Sequence, residues 1–263
     1  MGRVVWPTIA AGLLALVAFS AAGLQAAGPT PVLIELFTAE GCSSCPPADE
    51  LLRGLVASQP ISGALIIGLG EHVDYWDRLG WKDRFSSASL TARQERYGRR
   101  FNVDAVYTPQ MVVDGRDEFV GSDAAAARRA IGKALARESG VVSIAISPAS
   151  GDQLSVAVTM TSLPKGLRSK GDVAELLVAI IEKDLKTDIR GGENKGRLLS
   201  HAPVVRSLTM LGDVEGEGAV IRGSLPIRPD WQLSNVSVVA FVQERDSRHV
   251  LAAAVVPARS PAR

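Results

Sequence analysis

The sequence predicts an α/β domain with a helical insertion, followed by an all-β, sandwich-like domain. Up to about residue 139, apolar strand-like runs alternate with amphipathic helical runs. From residue 140 to 258, six or seven short runs instead carry apolar side chains at every second position. The length of 263 residues also suits two domains. We therefore expect an α/β domain at 28–139 and a β-sandwich-like domain at 140–258.

The first 27 residues have the composition of an export signal. Arg3 precedes an apolar stretch at 9–24, and the small residues Ala26 and Ala27 follow it. An uncleaved anchor is the alternative, but glycine and serine residues interrupt the apolar stretch. No later stretch is long and apolar enough to span a membrane. We predict a periplasmic or secreted protein without a stable membrane span after signal cleavage. At the other end of the chain, residues 259–263 are predicted to form a short tail.

The charges give no overall attraction to polyanions. The chain has 29 basic and 28 acidic residues, a formal net charge of +1. An arginine-rich run at 93–100 lies on a predicted helix together with Gln94 and Glu95, and we interpret it as a solvated face. Because neither the total charge nor this run favours phosphate binding, we expect no nucleic-acid partner.

The elements of the first domain follow from local signals. Prolines at the start of a run with an apolar helical stripe predict a helix after the cysteines. Asp114-Gly115 is a hairpin-turn signal, and Ser122 or Asp123 can cap the last helix. The predicted order is a strand at 32–37, a helix from 46, a strand at 64–69, a helix at 87–100, a hairpin at 107–120 and a helix from 122 to about 138.

Cys42 and Cys45 are the two cysteines of the chain, and they lie between the first strand and the first helix. Their spacing allows a disulfide within one turn, and a thiolate near a helix start is stabilised by the helix dipole. A bridge that closes so short a loop stabilises a fold by about 2 kcal/mol at most. Redox chemistry is therefore favoured over a structural bridge or a metal site, and Cys42 is expected to be the more exposed thiol.

Two further runs have unusual compositions. Residues 72–81 contain two tryptophans, one tyrosine, one histidine and two aspartates. This run either lines a cleft, with Tyr75 and Trp76 as candidate substrate contacts, or forms an aromatic core beneath the inserted helix. The glycine-rich run at 191–201 matches no phosphate-binding fingerprint. We interpret it as a long connection between strands, with a docking loop as the alternative.

The order of a strand, Cys-x-x-Cys, a helix and a later Thr108-Pro109 before a hairpin resembles the thioredoxin fold. The strings FTAEGCSSCPPAD, HVDYWDRLGW, VYTPQMVVDG and GENKGRLLSHAPVVR together look like the secreted bacterial thioredoxin-like family called domain of unknown function 1223. The resemblance implies that Cys42 is the attacking thiolate and Cys45 the resolving thiol. It also implies a cis Pro109 facing the disulfide, with Thr108 beside the bound substrate chain.

The proton acceptor is not supplied by this resemblance. Thioredoxins place a buried acid six positions before the first cysteine, and this position is Leu36 here. Proton transfer requires a group with a suitable pKa within hydrogen-bond or one-water reach. The candidates are Glu40, Glu71, His72 and Asp74. No cofactor is expected, and no metal site is predicted, because two cysteines and three scattered histidines do not readily complete a four-ligand zinc site.

These observations predict an exported thiol–disulfide oxidoreductase that acts on protein thiols or disulfides of the cell envelope. The direction of electron transfer is left open. One alternative is a copper-binding or metallochaperone module, in which both thiolates and His72 bind Cu(I). The other is a noncatalytic envelope binding protein, in which the β domain and the aromatic run carry the function.

Overall fold

The structure is a computed structural model that describes residues 1–2, 28–148, 152–164 and 171–258. Apart from its first two residues, the predicted export signal lies outside the described residues, as does the predicted tail at 259–263. No helix within the described ranges is long and apolar enough to cross a membrane.

The described residues form three helices and thirteen strands, besides one short 3₁₀ turn at Leu233–Asn235. The first half of the chain contains β1 (Thr30–Thr38), α1 (Pro46–Ser58), β2 (Ala64–His72), α2 (Ala88–Phe101), β3 (Gln110–Val113), β4 (Asp117–Val120) and α3 (Ala124–Leu135). The second half contains β5 (Val141–Pro148), β6 (Gln153–Ser162), β7 (Ala174–Glu182), β8 (Lys186–Asp188), β9 (Leu198–Ser200), β10 (Val204–Asp213), β11 (Val220–Pro226), β12 (Val236–Glu244) and β13 (Val250–Pro257).

One mixed sheet of eight strands joins the two halves of the chain. Its strand order is β13-β12-β7-β10-β2-β1-β3-β4. Strand β10 pairs in parallel with β2, at Val204 and Gly70, and antiparallel with β7. The predicted fold class, an α/β thioredoxin-like domain with a helical insertion followed by a β-sandwich-like domain, is therefore wrong. Strands account for 42% of the residues and helices for 19%, so the protein is mostly β.

The strands that carry the sheet across both halves are apolar on both faces. Residues 176–181 of β7 and 238–242 of β12 are buried at every position. Strands covered on both sides have continuous apolar runs instead of alternating ones. The alternating pattern that predicts one-sided sheets of a sandwich includes only every second residue of these runs. The runs are instead central strands of the large sheet.

Different layers cover the two faces of the large sheet. On one face, Leu90 of α2 packs against apolar residues of β1, β2, β7, β10 and β12. The opposite face is covered by α1 and α3 at the β1 end. At the β7 and β12 end, the same face packs against a three-stranded sheet with the order β11-β6-β5.

Several local predictions agree with the structure. Helix α1 begins at Pro46, with Cys45 as its N-cap residue. The hairpin of β3 and β4 turns at Asp114 and Gly115, whose φ angles are 47° and 64°, as a tight hairpin turn of this type requires. Helix α3 is capped by Asp123, whose carboxylate accepts a backbone hydrogen bond. Local capping and turn signals thus determine these elements.

Candidate functional site around the disulfide

Cys42 and Cys45 form a disulfide between β1 and α1. Only 0% and 1% of their respective surfaces are exposed. The prediction that Cys42 is the more exposed cysteine is therefore wrong. The two residues between them, Ser43 and Ser44, are exposed. The disulfide thus lies just beneath a short exposed turn.

A loop from the second half of the chain covers the disulfide. This cover loop, residues 189–197, connects β8 to β9. The side chain of Asn194 is buried, and its Nδ2 donates to the backbone carbonyls of Glu40 at 2.8 Å and Cys42 at 2.9 Å. The backbone N–H of Ser43 donates to Glu193 Oε2 at 3.1 Å. The glycine-rich run is therefore bound to the backbone around the first cysteine.

The aromatic run packs beside the same cysteines. Tyr75 and Trp76 are half-buried and pack against an apolar cluster that includes Cys42 and Cys45. Trp76 Nε1 donates to Thr108 Oγ1 at 2.9 Å. The peptide bond between Thr108 and the following proline is cis, as predicted. Tyr75 and Trp76 thus contact the cluster that contains the disulfide, and Thr108 is hydrogen-bonded to Trp76.

A small cavity lies beside Cys45. Its volume is about 10 Å³, which is room for about one water-sized sphere. Five buried polar side chains line it: Thr38, Glu40, Asp49, His72 and His201. The larger pockets found among the described residues are not lined by either cysteine. The cavity beside Cys45 is thus lined by four buried ionisable side chains, Glu40, Asp49, His72 and His201.

His72 forms a buried pair with Asp83. Its Nδ1 lies 2.6 Å from Asp83 Oδ2. Burial lowers the pKa of His72, but the charge and hydrogen bond of Asp83 more than offset this and raise the pKa to about 9. Burial raises the pKa of Asp83, and the pairing with His72 lowers it to below its ordinary value. The other ring nitrogen, His72 Nε2, has no hydrogen-bond partner among the described residues.

Asp49 and His201 also line the cavity, and both lie close to His72. Asp49 accepts a hydrogen bond from the backbone N–H of Ala202 at 3.1 Å. His201 Nε2 lies 3.3 Å from Glu40 Oε1, an oxygen that lacks a hydrogen-bond partner within the described ranges. One potential ligand atom from each of Asp49, His72 and His201 lies within 4.8 Å of the other two. This ligand set contains no cysteine, in contrast to the copper site considered from the sequence.

The other candidate proton acceptors do not line the cavity. Asp74 accepts a hydrogen bond from Thr91 Oγ1 at 2.6 Å. Glu71 lies on the opposite side, with its Oε1 at 3.5 Å from Arg93 Nε. Burial and the charge of Glu35 raise the pKa of Glu71 well above its usual range. Glu40 and His72 are therefore the two sequence candidates that the structure places beside Cys45.

Sequence reasoning missed four residues of this site: Asp49, Asp83, Asn194 and His201. Asp49 lies in the first turn of α1, where an acidic residue is common for structural reasons alone, and Asp83 lies just after the aromatic run. Asn194 lies 152 positions from its partner Cys42, so no motif spacing links the two. The sequence signal that could have identified Asn194 and His201 was their position in a glycine-rich run without apolar periodicity.

The fold and the site define a class: mostly β proteins with a buried Cys-x-x-Cys disulfide at the start of a helix. The family model described as "Protein of unknown function (DUF1223)" matches residues 33–243, and the chain belongs to this family. None of the curated proteins compared with the chain is significantly similar to it.

Two solved structures are similar in fold. Protein AGR_C_4864 from Agrobacterium tumefaciens is 24% identical, with 90% of this chain and 98% of that chain covered and a TM-score of 0.66. HBP35 of Porphyromonas gingivalis is 13% identical, with 88% and 76% covered and a TM-score of 0.59. At these identities the similarity shows the fold alone.

Proposed function

We propose that the protein is a thiol–disulfide oxidoreductase of the cell envelope, which exchanges its Cys42–Cys45 disulfide with protein thiols or disulfides. The observation that carries this proposal is the cavity beside Cys45, which is lined by buried groups able to exchange protons, among them Glu40 and His72. A bridge kept only for stability has no use for such groups. It would also contribute about 2 kcal/mol at most.

The proposed place of action is the periplasm or the exterior of the cell. The export signal predicted at residues 1–27 is the basis for this part of the proposal. An oxidising compartment permits a disulfide to form and persist. The substrates are then thiols or disulfides of other exported proteins.

The proposed reaction is an exchange of two electrons. In the reduced protein, the Cys42 thiolate attacks a substrate disulfide, forms a mixed disulfide and releases one substrate thiolate, which takes up a proton. Cys45 then loses its proton to a group in the cavity and attacks the Cys42 sulfur. This step releases the second substrate thiolate, which is protonated in turn, and restores the protein disulfide. The same steps in reverse oxidise a substrate dithiol.

The surroundings of the two cysteines support different roles for them. Cys42 Sγ lies 3.4 Å from Ser44 Oγ, and Ser43 and Ser44 are exposed. Cys45 instead borders the small cavity lined by buried polar side chains, which suits a resolving thiol. The proposed contacts for the substrate chain are Thr108, Pro109, Tyr75 and Trp76. Because both cysteines are buried, exchange requires local opening of the cover loop, as binding loops of low local stability commonly allow.

Reduction of insulin disulfides tests the activity. In the presence of dithiothreitol, the mature protein should accelerate insulin precipitation, and the double variant Cys42→Ser/Cys45→Ser should not. Oxidative refolding of a scrambled disulfide substrate tests the reverse direction. If the wild-type protein is no faster than the double variant in both assays, the proposal is wrong.

Trapping of mixed disulfides tests the roles. Cys45→Ser should accumulate covalent adducts with envelope proteins, because the resolving thiol is missing, whereas Cys42→Ser should accumulate few. Nonreducing gels with mass spectrometry of the adduct bands measure both. Equal trapping by the two variants would contradict the assignment of Cys42 as the attacking residue.

A further inference from the structure

We propose that the cavity beside the disulfide binds one divalent transition-metal ion through Asp49, His72 and His201. The proposal goes beyond the oxidoreductase function, because neither cysteine is a ligand. Two imidazoles and a carboxylate form a donor set that suits Zn²⁺ and related ions. The ligand set assembles residues from β2, from α1 and from the segment after β9.

The geometry fits a small ion. The three potential ligand atoms lie within 4.8 Å of one another. Zn²⁺ takes nitrogen and oxygen ligands at about 2.0 to 2.2 Å, so side-chain shifts of less than about 1 Å bring the three atoms into range. A cavity volume of about 10 Å³ leaves room for a single ion. At most 5% of the surface of Asp49, His72 and His201 is exposed.

Two atoms at the cavity lack hydrogen bonds. His72 Nε2 and Glu40 Oε1 are buried and form no hydrogen bond in the described part of the chain, although Glu40 Oε1 lies 3.3 Å from His201 Nε2. Leaving a buried polar atom unpaired costs about 1 to 3 kcal/mol, and a bound cation would offset this cost. Since His72 Nδ1 already pairs with Asp83, Nε2 is the nitrogen that remains for a metal, which would take the place of a proton there.

His72 is also supported in the way that metal-binding histidines usually are. Its Nδ1 lies 2.6 Å from Asp83 Oδ2, which in turn accepts the backbone N–H of Glu40 at 2.9 Å. A carboxylate behind an imidazole fixes the ring orientation and makes the opposite nitrogen a better ligand. Asp49 is held similarly, because its Oδ2 accepts a hydrogen bond from Thr38 Oγ1 at 2.7 Å.

The charges around the cavity favour a cation. Glu40, Asp49 and Asp83 are three carboxylates close to two imidazoles. Among the described residues, no lysine or arginine forms an ion pair with any of the three; the ion pairs are those of His72 with Asp83 and of His201 with Glu40. An ion from solution therefore meets little competition from a resident basic side chain.

Calorimetric titration with Zn²⁺ tests the site. The mature protein, stripped with a chelator and with its disulfide intact, should bind one Zn²⁺ per chain. His72→Asn, which keeps a side chain able to reach Asp83, and His201→Asn should each weaken binding by at least about 100-fold. Asp83→Asn should weaken it by about 10- to 100-fold. The matched control is His249→Asn, which removes the third histidine of the chain, beside Arg100, and should leave the affinity within about threefold.

The cysteine variant separates this site from the redox proposal. Cys42→Ser/Cys45→Ser should bind Zn²⁺ within about threefold of the wild-type protein. Circular dichroism checks the fold of every variant. The three site variants change different residues, so the test can be made with each variant that folds. The proposal is overturned if the wild-type protein binds no Zn²⁺, if the folded site variants bind it unchanged, or if only the cysteine variant loses it. Intact Zn²⁺ binding without insulin reduction would overturn only the oxidoreductase.

Discussion

Two buried clusters of polar and ionisable side chains lie on opposite faces of the large sheet. The Arg93 cluster comprises Glu35, Glu71, Arg93, Tyr97 and Gln243. The His72 cluster comprises Glu40, Asp49, His72, Asp83 and His201. Neighbouring residues of a strand point to opposite faces, so β2 contributes Glu71 to one cluster and His72 to the other.

The Arg93 cluster contains its own cation, because Arg93 is buried and does not belong to the solvated face that the sequence analysis predicted for the arginine-rich run. Arg93 donates to Glu35 Oε1 at 2.5 Å and to Gln243 Oε1 at 3.0 Å, and Tyr97 donates to the other oxygen of Glu35. Burial raises the pKa of Glu35, but Arg93, Glu71 and Tyr97 together lower it to below its ordinary value. Burial and the charge of Glu35 raise the pKa of Glu71 well above its usual range. The guanidinium of Arg93 thus pairs with Glu35 and connects α2 to β1 and β12.

The His72 cluster has three carboxylates but, among the described residues, no arginine or lysine paired with them. Both clusters contain buried atoms without hydrogen-bond partners among the described residues: Arg93 Nη1 and both carboxylate oxygens of Glu71 in the first, and His72 Nε2 and Glu40 Oε1 in the second. The His72 cluster, however, lines the cavity beside Cys45. We therefore assign the Arg93 cluster to the fold and, in line with the proposed metal site, the His72 cluster to ligand binding. Substitutions in the first should therefore affect stability most, and substitutions around the second should affect chemistry more than stability.

The largest expected effect is that of Arg93→Met. It leaves Glu35 buried without its cation, and breaking a buried pair in this way costs about 3 to 5 kcal/mol. Chemical denaturation should show this loss in the free energy of unfolding. Arg96→Met, one turn along α2 on its exposed side, should change stability by less than about 0.5 kcal/mol. Equal effects of the two substitutions would contradict a structural role for the Arg93 cluster.

Glu35→Gln should cost somewhat less, about 2 to 3 kcal/mol at neutral pH, because Glu71 can ionise and pair with Arg93. The lowered pKa of Glu35 gives stability that is present above its unfolded value of 4.5 and is lost as the pH falls through the folded pKa. The variant should therefore lose less stability than the wild-type protein on acidification below pH 4.5. Glu71→Gln, which replaces the carboxyl whose pKa is raised, should be milder than Glu35→Gln. The reverse order would show that Arg93 pairs mainly with Glu71.

Removal of the disulfide should have a smaller effect. Cys42→Ser/Cys45→Ser is expected to lower the free energy of unfolding by about 2 kcal/mol at most, because the closed loop is short. The same denaturation experiment measures this. A loss of unfolding free energy larger than that of Arg93→Met would mean that the cysteines mainly stabilise the fold. It would contradict the assignment of stability to the Arg93 cluster and of chemistry to the opposite face.

Asn194→Ala should have the smallest effect on stability, about 1 kcal/mol, but a clear effect on reactivity. It removes the hydrogen bonds to the carbonyls of Glu40 and Cys42, so the cover loop should open more often. Dithiothreitol should then reduce the disulfide several-fold faster, as measured by thiol labelling over time. Lys195→Ala, at an exposed neighbouring position, is the control, and equal rates for the two variants would show that Asn194 does not limit access.

Local signals predicted the parts of the structure that depend on neighbouring residues. Pro46 predicted the start of α1, and Asp114-Gly115 predicted the hairpin turn. The pairing of Val204 with Gly70, which joins the halves into one sheet, leaves no comparable local pattern. The sequence analysis could therefore name Glu40 and His72 as candidates, which follow the first two strands. It could not name His201, because only the long-range pairing of the two halves brings His201 to them.

The distance in sequence between Asn194 and Cys42, 152 positions, has a consequence for the order of folding. Contacts that close so long a loop form slowly, because the chain loses conformational entropy before the contact stabilises it. On a newly made chain, we expect Cys42 and Cys45 to meet early and to stay accessible until residues 189–197 arrive. The time that the cover loop takes to fold into place therefore determines how long cellular oxidants can reach these thiols directly.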